Sequence, residues 1–392
     1  MPWTETCRVT ERAAFVAAVL AGEDSMAWLC RCFGISRKTG YKWLARYRAE
    51  GVAGLADRSR APRHCPHALD AALAAGCLSV RRRHPRWGPR KVRAWLARQA
   101  PTVAWPAAST IGALFDREGL TVARRRRSRV PPQTQPFGAC AAANDVWCID
   151  FKGWFRTGEG ARCEPLTLSD AHSRYLLRCQ ALARPSGALA WPVLEAALRE
   201  YGLPRRLRSD NGPPFASVAA GGLSPFAVLV VKAGVVPERI APGRPQENGR
   251  HERLHLTLKQ ETAAPPAPSL RAQAERFRAF RRLYNEERPH EALGQRPPAA
   301  VYRPSPRAWD GVLRAPEPAA DAAKRRVRHD GAIKWRGAAL YISETLAGEW
   351  IGLEEADGVF IARYGPITLG QLAPDGDRLV RPKAPRRPRH TP

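Results

Sequence analysis

The residue periodicity of this chain changes twice, and no other feature narrows its fold as much. Up to about residue 120 the apolar residues recur at helical spacing, from Asn144 they fall into short strand-like runs, and from Val327 they alternate between Asp-Gly turns. A chain with three textures cannot close as one bundle or one repeat. Its 392 residues suffice for about two to four domains with full cores.

The first texture is basic as well as helical. Residues 8–20 and 25–33 have helix-compatible spacing, and Gly34-Ile35-Ser36 follows as a corner, with Gly34 suited to a positive φ and Ser36 to an N-cap. The next run, RKTGYKWLARYR, sets Tyr41, Leu44 and Tyr47/Arg48 on one stripe and leaves Arg37, Lys38, Lys42 and Arg46 largely elsewhere. This is a helix-turn-helix pattern with a basic second helix. A plain helical hairpin would share the spacing, but the corner and the charge favour DNA, with Arg37, Lys38, Lys42 and Arg46 nearest the groove. A second helical block over residues 66–123 gathers Arg81, Arg82, Arg83, Arg86, Arg90 and Lys91 around the turn His84 to Pro89. It is either a second DNA-binding unit or a solvated basic face. Residues 124–143 form a basic, Pro-rich linker.

Charge adds a partner to this outline. The net formal charge is +28, of which residues 1–143 carry +16, residues 144–262 carry +4 and residues 263–392 carry +8. A GC-rich genome explains Arg over Lys but not the excess of bases over acids, so a polyanion such as nucleic acid is expected. The most apolar stretch, Phe226 to Val236, is too short to span a membrane, and the N-terminus lacks the pattern of a signal peptide. A cytoplasmic, nucleoid-associated protein without membrane partners is expected. Its nine cysteines are then free thiols, and without a C-x-x-C pair they make no zinc framework.

The second texture carries the chemistry. DVWCIDFKGWF, CEPLTLSD and SRYLLRCQAL read as three strands of an antiparallel meander, followed by a helix over residues 188–201, a strand over 205–208 leading into SDNG, and a helix over 246–260. That order indicates an α/β domain on one central sheet. Within it Asp150 interrupts an apolar strand, Asp210 ends a strand, and Glu252 lies in the later helix. An unpartnered buried carboxylate costs several kcal/mol, so converging acids point to bound cations, and Mg²⁺ prefers such oxygen ligands. Singly, each acid has a plainer explanation: Asp210 can open an Asx-turn, and Glu252 can pair with Arg250 or Arg253.

WCIDFKG, LSDAHSRY, RSDNGPPF and PGRPQENGRHERLHLTLK, in that order, resemble the core of bacterial insertion-sequence transposases of the retroviral-integrase-like superfamily. The likeness spans residues 144–303, and LCRCFGISRKTGYKWLARYR with GLADRSRAP resembles the helix-turn-helix region of one branch of these enzymes. It implies a ribonuclease H-like fold with an Asp-Asp-Glu triad at Asp150, Asp210 and Glu252, holding two Mg²⁺ with Mn²⁺ as a substitute. It also implies DNA strand cleavage and strand transfer, double-stranded DNA partners (the element ends and the target), and a homo-oligomer of at least two protomers. Glu247 competes as third acid. It leaves 36 residues after Asp210 where Glu252 leaves 41, and the shorter gap is nearer the family's spacing, but the acid after the Asn-Gly step aligns with the family glutamate. At 100° per residue Glu252, His255 and Lys259 fall within an arc of about 60°, opposite Leu254 and Leu258. Lys259, and less strongly His255 and Asn248, are the expected phosphate contacts. Asp170 in LSDAHSRY belongs to a family motif but reads as structural.

The third texture, residues 327–377, is expected as a small β-barrel or sandwich. It holds four bases against eight acids, a net −4, so its whole surface does not suit DNA, and packing within the assembly is an equal alternative. In all, the expectation is multidomain. A helix-turn-helix domain occupies residues 1–60, a second helical unit 66–123, a linker 124–143, an α/β ribonuclease H-like core 144–303, an all-β module 327–377, and a disordered basic tail 378–392. A catalytically inactive DNA-binding protein or repressor derived from a transposase, and a nuclease that cuts without joining, are the competing functions.

Overall fold

A computed structural model describes residues 7–59, 69–121, 140–239, 249–373 and 378–380 of the chain. Most of the linker, Glu247, Asn248, the Asp375-Gly376 turn and the tail beyond Val380 lie outside the described residues. The chain divides between Leu69 and Asp70 into two compact units.

The first unit holds α1 (Arg8–Ala21), α2 (Met26–Cys32) and α3 (Arg37–Glu50). Ser25 and Ser36 cap α2 and α3 by accepting from Trp28 N and Thr39 N, and Gly34 takes φ +63° in the corner between them. Phe15, Val16, Leu29, Cys30, Trp43, Leu44 and Leu55 form the core. The expected stripe on α3 needs correction. Tyr41 is 58% exposed, and the buried line runs through Gly40, Trp43 and Leu44. The cause is a close approach: a Cβ on Gly40 would stand 2.6 Å from Cys30 Sγ and 2.9 Å from the Phe15 ring. α3 therefore turns its glycine inward and Tyr41 outward.

The second unit begins with α4 (Ala71–Arg83), α5 (Pro89–Gln99) and α6 (Ala108–Arg117). Asp70 caps α4 through Ala72 N and Leu73 N, and Pro89 opens α5, where its missing N–H has no cost. Trp87, stacked on His84 at 3.9 Å, joins Val80, Val92, Leu96, Ile111 and Phe115 in the interior.

The central sheet contains β1 (Val146–Phe151), β2 (Phe155–Arg156), β3 (Arg162–Asp170), β4 (Leu176–Leu182), β5 (Arg206–Ser209) and β6 (Val236–Arg239). Its order is β4-β3-β1-β5-β6, with β2 pairing the start of β3. β1, β3 and β4 are antiparallel neighbours, whereas β5 and β6 run parallel to β1. The parallel joins require crossovers, supplied by α7 (Gly187–Tyr201) and α8 (Pro225–Lys232). α9 (Gly249–Thr262) and α10 (Leu270–Arg282) follow, burying Leu254, Leu258, Phe277 and Phe280 with Leu176 and Cys179 of β4. This is a ribonuclease H-like core. Asp170 is structural in it: Oδ1 accepts from Asn144 N at 2.8 Å, and Oδ2 accepts from Ser173 N at 2.7 Å and Ser173 Oγ at 2.6 Å.

The C-terminal texture folds as β7 (Ala323–Arg326), β8 (Ala332–Trp335), β9 (Ala338–Tyr341), β10 (Trp350–Ala356), β11 (Val359–Tyr364), β12 (Ile367–Leu372) and β13 (Leu379–Val380). Among the described residues these make an antiparallel sheet in the order β13-β12-β11-β10-β7 and a separate β8–β9 hairpin. Asp357 and Gly358, both at positive φ, turn β10 into β11 as their sequence suggests. The sheet's apolar face is closed by α8. Ala227, Val228 and Val231 pack with Val327, Ile333, Leu346, Ile351 and Leu369, while Phe226 and Val230 of the same helix face the central sheet. The chain's most apolar stretch is thus a helix covered on both sides.

Candidate active site

Strand register brings Asp150 and Asp210 to neighbouring strand ends. β1 pairs β5 in parallel, with Val146 opposite Arg206 and Cys148 opposite Arg208; Asp150 lies two residues beyond the last of these pairs on β1, and Asp210 directly follows β5. Asp210 has just left β5, where the chain turns through Asn211 and Gly212. Gly212 keeps this turn tight: a Cβ there would lie 3.1 Å from Asp210 Oδ2. Asp210 Oδ1 is buried and accepts no hydrogen bond. Burial pushes the carboxyl above its ordinary range, against a smaller opposing effect of the Gly212 N–H. A buried carboxylate oxygen without a hydrogen-bond partner among the described residues is a group that a divalent cation can neutralise.

α9 lies over the same part of the sheet. Thr167 on β3 is the register partner of Asp150, and its Oγ sits 2.7 Å from Nε2 of both His251 and His255. These histidines are 3% and 7% exposed. Burial lowers His251 to about 4 and His255 to about 2, the latter helped by His251 and Lys152, so both rings are neutral. His255 Nδ1 lies 3.9 Å from Asp150 Oδ2. Asp150, His251 and His255 offer ligand atoms that all fall within 4.8 Å of one another.

Glu252 is in the first turn of α9, next to His251 and exposed, and Lys259 is exposed two turns on. His255 departs from the expected face. The angular estimate grouped it with Glu252 and Lys259, but it turns inward beside Leu254 and Leu258. Thr167 supplies the reason, since a buried hydroxyl gives the imidazole a partner inside the fold. That partner lies 88 positions away in the chain, beyond the reach of helical periodicity.

A second concentration of charge adjoins α9. Lys91 of α5, Arg174, Arg253 of α9 and Arg288 line a cavity of about 380 Å³ together with Tyr284 and His290. Burial, reinforced by Arg288, draws Lys91 down to about 8, and burial lowers His290 to about 3. Such a cavity suits a phosphate. Of the cations expected around the α4–α5 turn, Lys91 lines it. Arg81 instead donates to the carbonyls of Trp87 and Leu120, and Arg90 pairs with Glu291 at 3.2 Å.

On α3, Arg37 and Lys38 are exposed, while the Lys42 and Arg46 cations lie 4.4 and 5.0 Å from the Trp43 ring centroid. Tyr41, outside the predicted set, is exposed one turn beyond Arg37 and Lys38. Its signal is the glycine before it, which claims the inner face.

Known families agree with this layout. The integrase core domain matches residues 141–245 and again 233–298, a helix-turn-helix domain matches 11–63, and a homeodomain-like domain matches 39–115. The insertion element IS476 uncharacterized 39.2 kDa protein of Xanthomonas euvesicatoria is 31% identical over 276 residues, covering 69% of this chain and 76% of that protein. The transposase InsD for insertion element IS2A/D/F/H/I/K of Escherichia coli is 26% identical, covering 72% of this chain and 95% of that protein. Among solved structures, the HTLV-2 integrase catalytic core domain in complex with magnesium aligns with 42% of this chain and 99% of its own at a TM-score of 0.33 and 14% identity. Among the described residues no helix is long and apolar enough to cross a membrane. With an integrase core behind helix-turn-helix segments, and a relative matched over three-quarters of its length, the chain belongs to the insertion-sequence transposases of the integrase superfamily.

Proposed function

We propose that this transposase binds the ends of its own element and catalyses divalent-metal-dependent DNA strand cleavage and strand transfer through Asp150, Asp210 and Glu252. The observation that supports this reading is the parallel β1–β5 pairing, whose neighbouring ends carry Asp150 and Asp210, together with a buried oxygen of Asp210 that has no hydrogen-bond partner among the described residues. Bound Mg²⁺ or Mn²⁺ supplies Lewis-acid stabilisation of the charge that develops during in-line phosphoryl transfer. Asp150 and Asp210 would hold the ions from the strand ends and Glu252 from α9. Glu252 is favoured over Glu247 because it follows His251, whose ring is bonded to the register partner of Asp150.

With water as nucleophile, a new P–O bond forms, the bond to the 3′ oxygen breaks, and a free 3′-OH results. With that 3′-OH as nucleophile on a target phosphodiester, its oxygen bonds to the phosphorus, the target's own P–O3′ bond breaks and the target 3′-OH leaves with a proton, so the same site joins two strands. Lys259 and the cavity lined by Lys91, Arg174, Arg253 and Arg288 neutralise strand phosphates near Glu252. Arg37, Lys38 and Tyr41 form the exposed DNA-facing part of α3, with Lys42 and Arg46 alongside. Asn248 remains a candidate phosphate contact by sequence. Paired ends require at least two protomers.

The test is a strand-transfer assay on the element's own terminal sequences with Mg²⁺. Asp150→Asn, Asp210→Asn and Glu252→Gln should each lower joining by a factor on the order of 10³ or more. Joining retained by Asp150→Asn would overturn the mechanism. Loss in Glu247→Gln with retention in Glu252→Gln would move the third acid.

A further inference from the structure

The hydrogen bonds around Thr167 fix more than the position of α9. Its Oγ lies 3.3 Å from the Asp150 carbonyl oxygen and 2.7 Å from both histidine Nε2 atoms. A hydroxyl has one proton to donate and two lone pairs. The carbonyl can only accept, so the proton goes there, and each histidine donates an Nε2–H to the Thr167 oxygen. A neutral ring protonated at Nε2 carries a bare lone pair on Nδ1.

The two Nδ1 atoms then differ. His251 Nδ1 lies 3.4 Å from Ser169 Oγ, which can donate to it. His255 Nδ1 instead lies 3.9 Å from Asp150 Oδ2. Both of those atoms are acceptors, so no hydrogen bond can join them directly. Two acceptors face one another across a gap that two ligands of one ion, each about 2.0–2.2 Å from it, can span.

The geometry points to His255 Nδ1 as a ligand, together with Asp150, of the divalent cation at this strand end, giving one ion position imidazole nitrogen as well as carboxylate oxygen. This rests on the reading of Asp150 as a metal ligand made above. Nitrogen ligation shifts preference away from Mg²⁺, which favours oxygen, toward first-row transition cations, of which Mn²⁺ also accepts carboxylates. The site is therefore tuned for Mn²⁺ over Mg²⁺. His251 is a positioning residue, holding Thr167 and the start of α9 while Ser169 occupies its own Nδ1.

Binding of Mn²⁺ and Mg²⁺ to the full-length protein, without DNA, separates these roles by titration calorimetry. Wild type should bind Mn²⁺ more tightly than Mg²⁺. His255→Asn should weaken Mn²⁺ at least about tenfold while changing Mg²⁺ less than about threefold, and His251→Asn should leave the ratio of the two affinities unchanged. An unchanged ratio in His255→Asn overturns the assignment. Mn²⁺ binding undiminished in Asp150→Asn would sink the underlying reading of Asp150 instead. Pulsed electron paramagnetic resonance of Mn²⁺ on the unmodified protein needs no variant to fold: a directly coupled ¹⁴N nucleus is expected, and its absence refutes nitrogen ligation.

Discussion

The first helical unit and the C-terminal sheet are both appendages to the catalytic core in sequence, yet they complete their hydrophobic interiors in opposite ways. The helical unit draws Phe15, Val16, Leu29, Cys30, Trp43, Leu44 and Leu55 from its own three helices and the turn after them. The sheet closes only with Ala220, Leu223, Ala227, Val228 and Val231, which belong to the catalytic core. One completes its core from its own residues. The other is a brace for α8, which joins β5 to β6 and so fixes the strand that delivers Asp210.

Truncation tests this contrast with the largest effect. Removing residues 323–392 exposes five core side chains, and at about 1.5–3 kcal/mol for each large one the loss rivals the whole stability of a domain. The shortened chain should be insoluble or lack a cooperative denaturant transition. Removing residues 1–69 should leave the transition of the rest nearly unmoved while abolishing binding to element ends. A folded 1–322 fragment would break the comparison.

Much of this layout is legible in the residues, and the failures are instructive. The corner Gly34-Ile35-Ser36, the strands around Asp150, and α7 and α9 follow from local chemistry, with residues and partners within a few positions of each other. Tyr41 and His255 depart from the faces that helical spacing predicts for a shared reason. Helical angle says which residues share a face but not which face turns inward. Gly40 against Cys30 and Thr167 against His255 decided that from other parts of the chain. The basic cavity needs Lys91 of α5 to meet Arg253 of α9, a juxtaposition that no spacing encodes. Phe226 to Val236 was visible as apolar, but that it must be covered on both sides emerges only from the two sheets.

Acid separates the two regions next. Burial lowers His84, His251, His255 and His290, and the first helical unit has no histidine within residues 1–59. In the unfolded chain these groups take up protons near pH 6.5, and in the folded core they do so only at lower pH, to about 4 for His251 and about 2 for His255. The unfolded state therefore binds more protons in that window. The stability they contribute is fully present above pH 6.5 and is lost as pH falls toward 4, by up to about 1.4 kcal/mol per pH unit for each histidine. Metal-free denaturant titrations from pH 7 to 4.5 should show the core weakening much faster than an isolated 1–59 fragment, and His251→Asn should flatten the core's acid limb.

Matched core truncations come third. Leu346→Ala in the brace and Leu29→Ala in the helical unit each remove a buried leucine and should cost about 2–5 kcal/mol. Their reach differs. Leu346→Ala should lower the melting transition that strand-transfer activity follows, whereas Leu29→Ala should open α1–α3 alone and leave the amide exchange of β1 and β5 unchanged. Faster exchange in β5 upon Leu29→Ala would erase the distinction.

The smallest effect concerns single ion pairs. Lys232 at the end of α8 donates to Glu349 Oε1 at 2.8 Å, and Tyr364 donates to Glu349 Oε2 at 3.0 Å, so a half-buried carboxylate fastens helix to sheet. In the helical unit, Arg8 reaches Asp57 at 3.7 Å with most of its side chain in water. An exposed pair of that kind contributes about 0–1 kcal/mol, whereas hydrogen bonds to a shielded charge reach about 1.5–3 kcal/mol. Double-mutant cycles with Lys232→Ala and Glu349→Ala, and with Arg8→Ala and Asp57→Ala, should give a coupling above about 1 kcal/mol for the first pair and near zero for the second. Raising salt to about 1 M should halve any Arg8–Asp57 coupling and change Lys232–Glu349 little, since screening acts on charges that water reaches. Equal couplings would mean that α8 is held by apolar contact alone, and the brace would then differ from the helical unit only in whose side chains it buries.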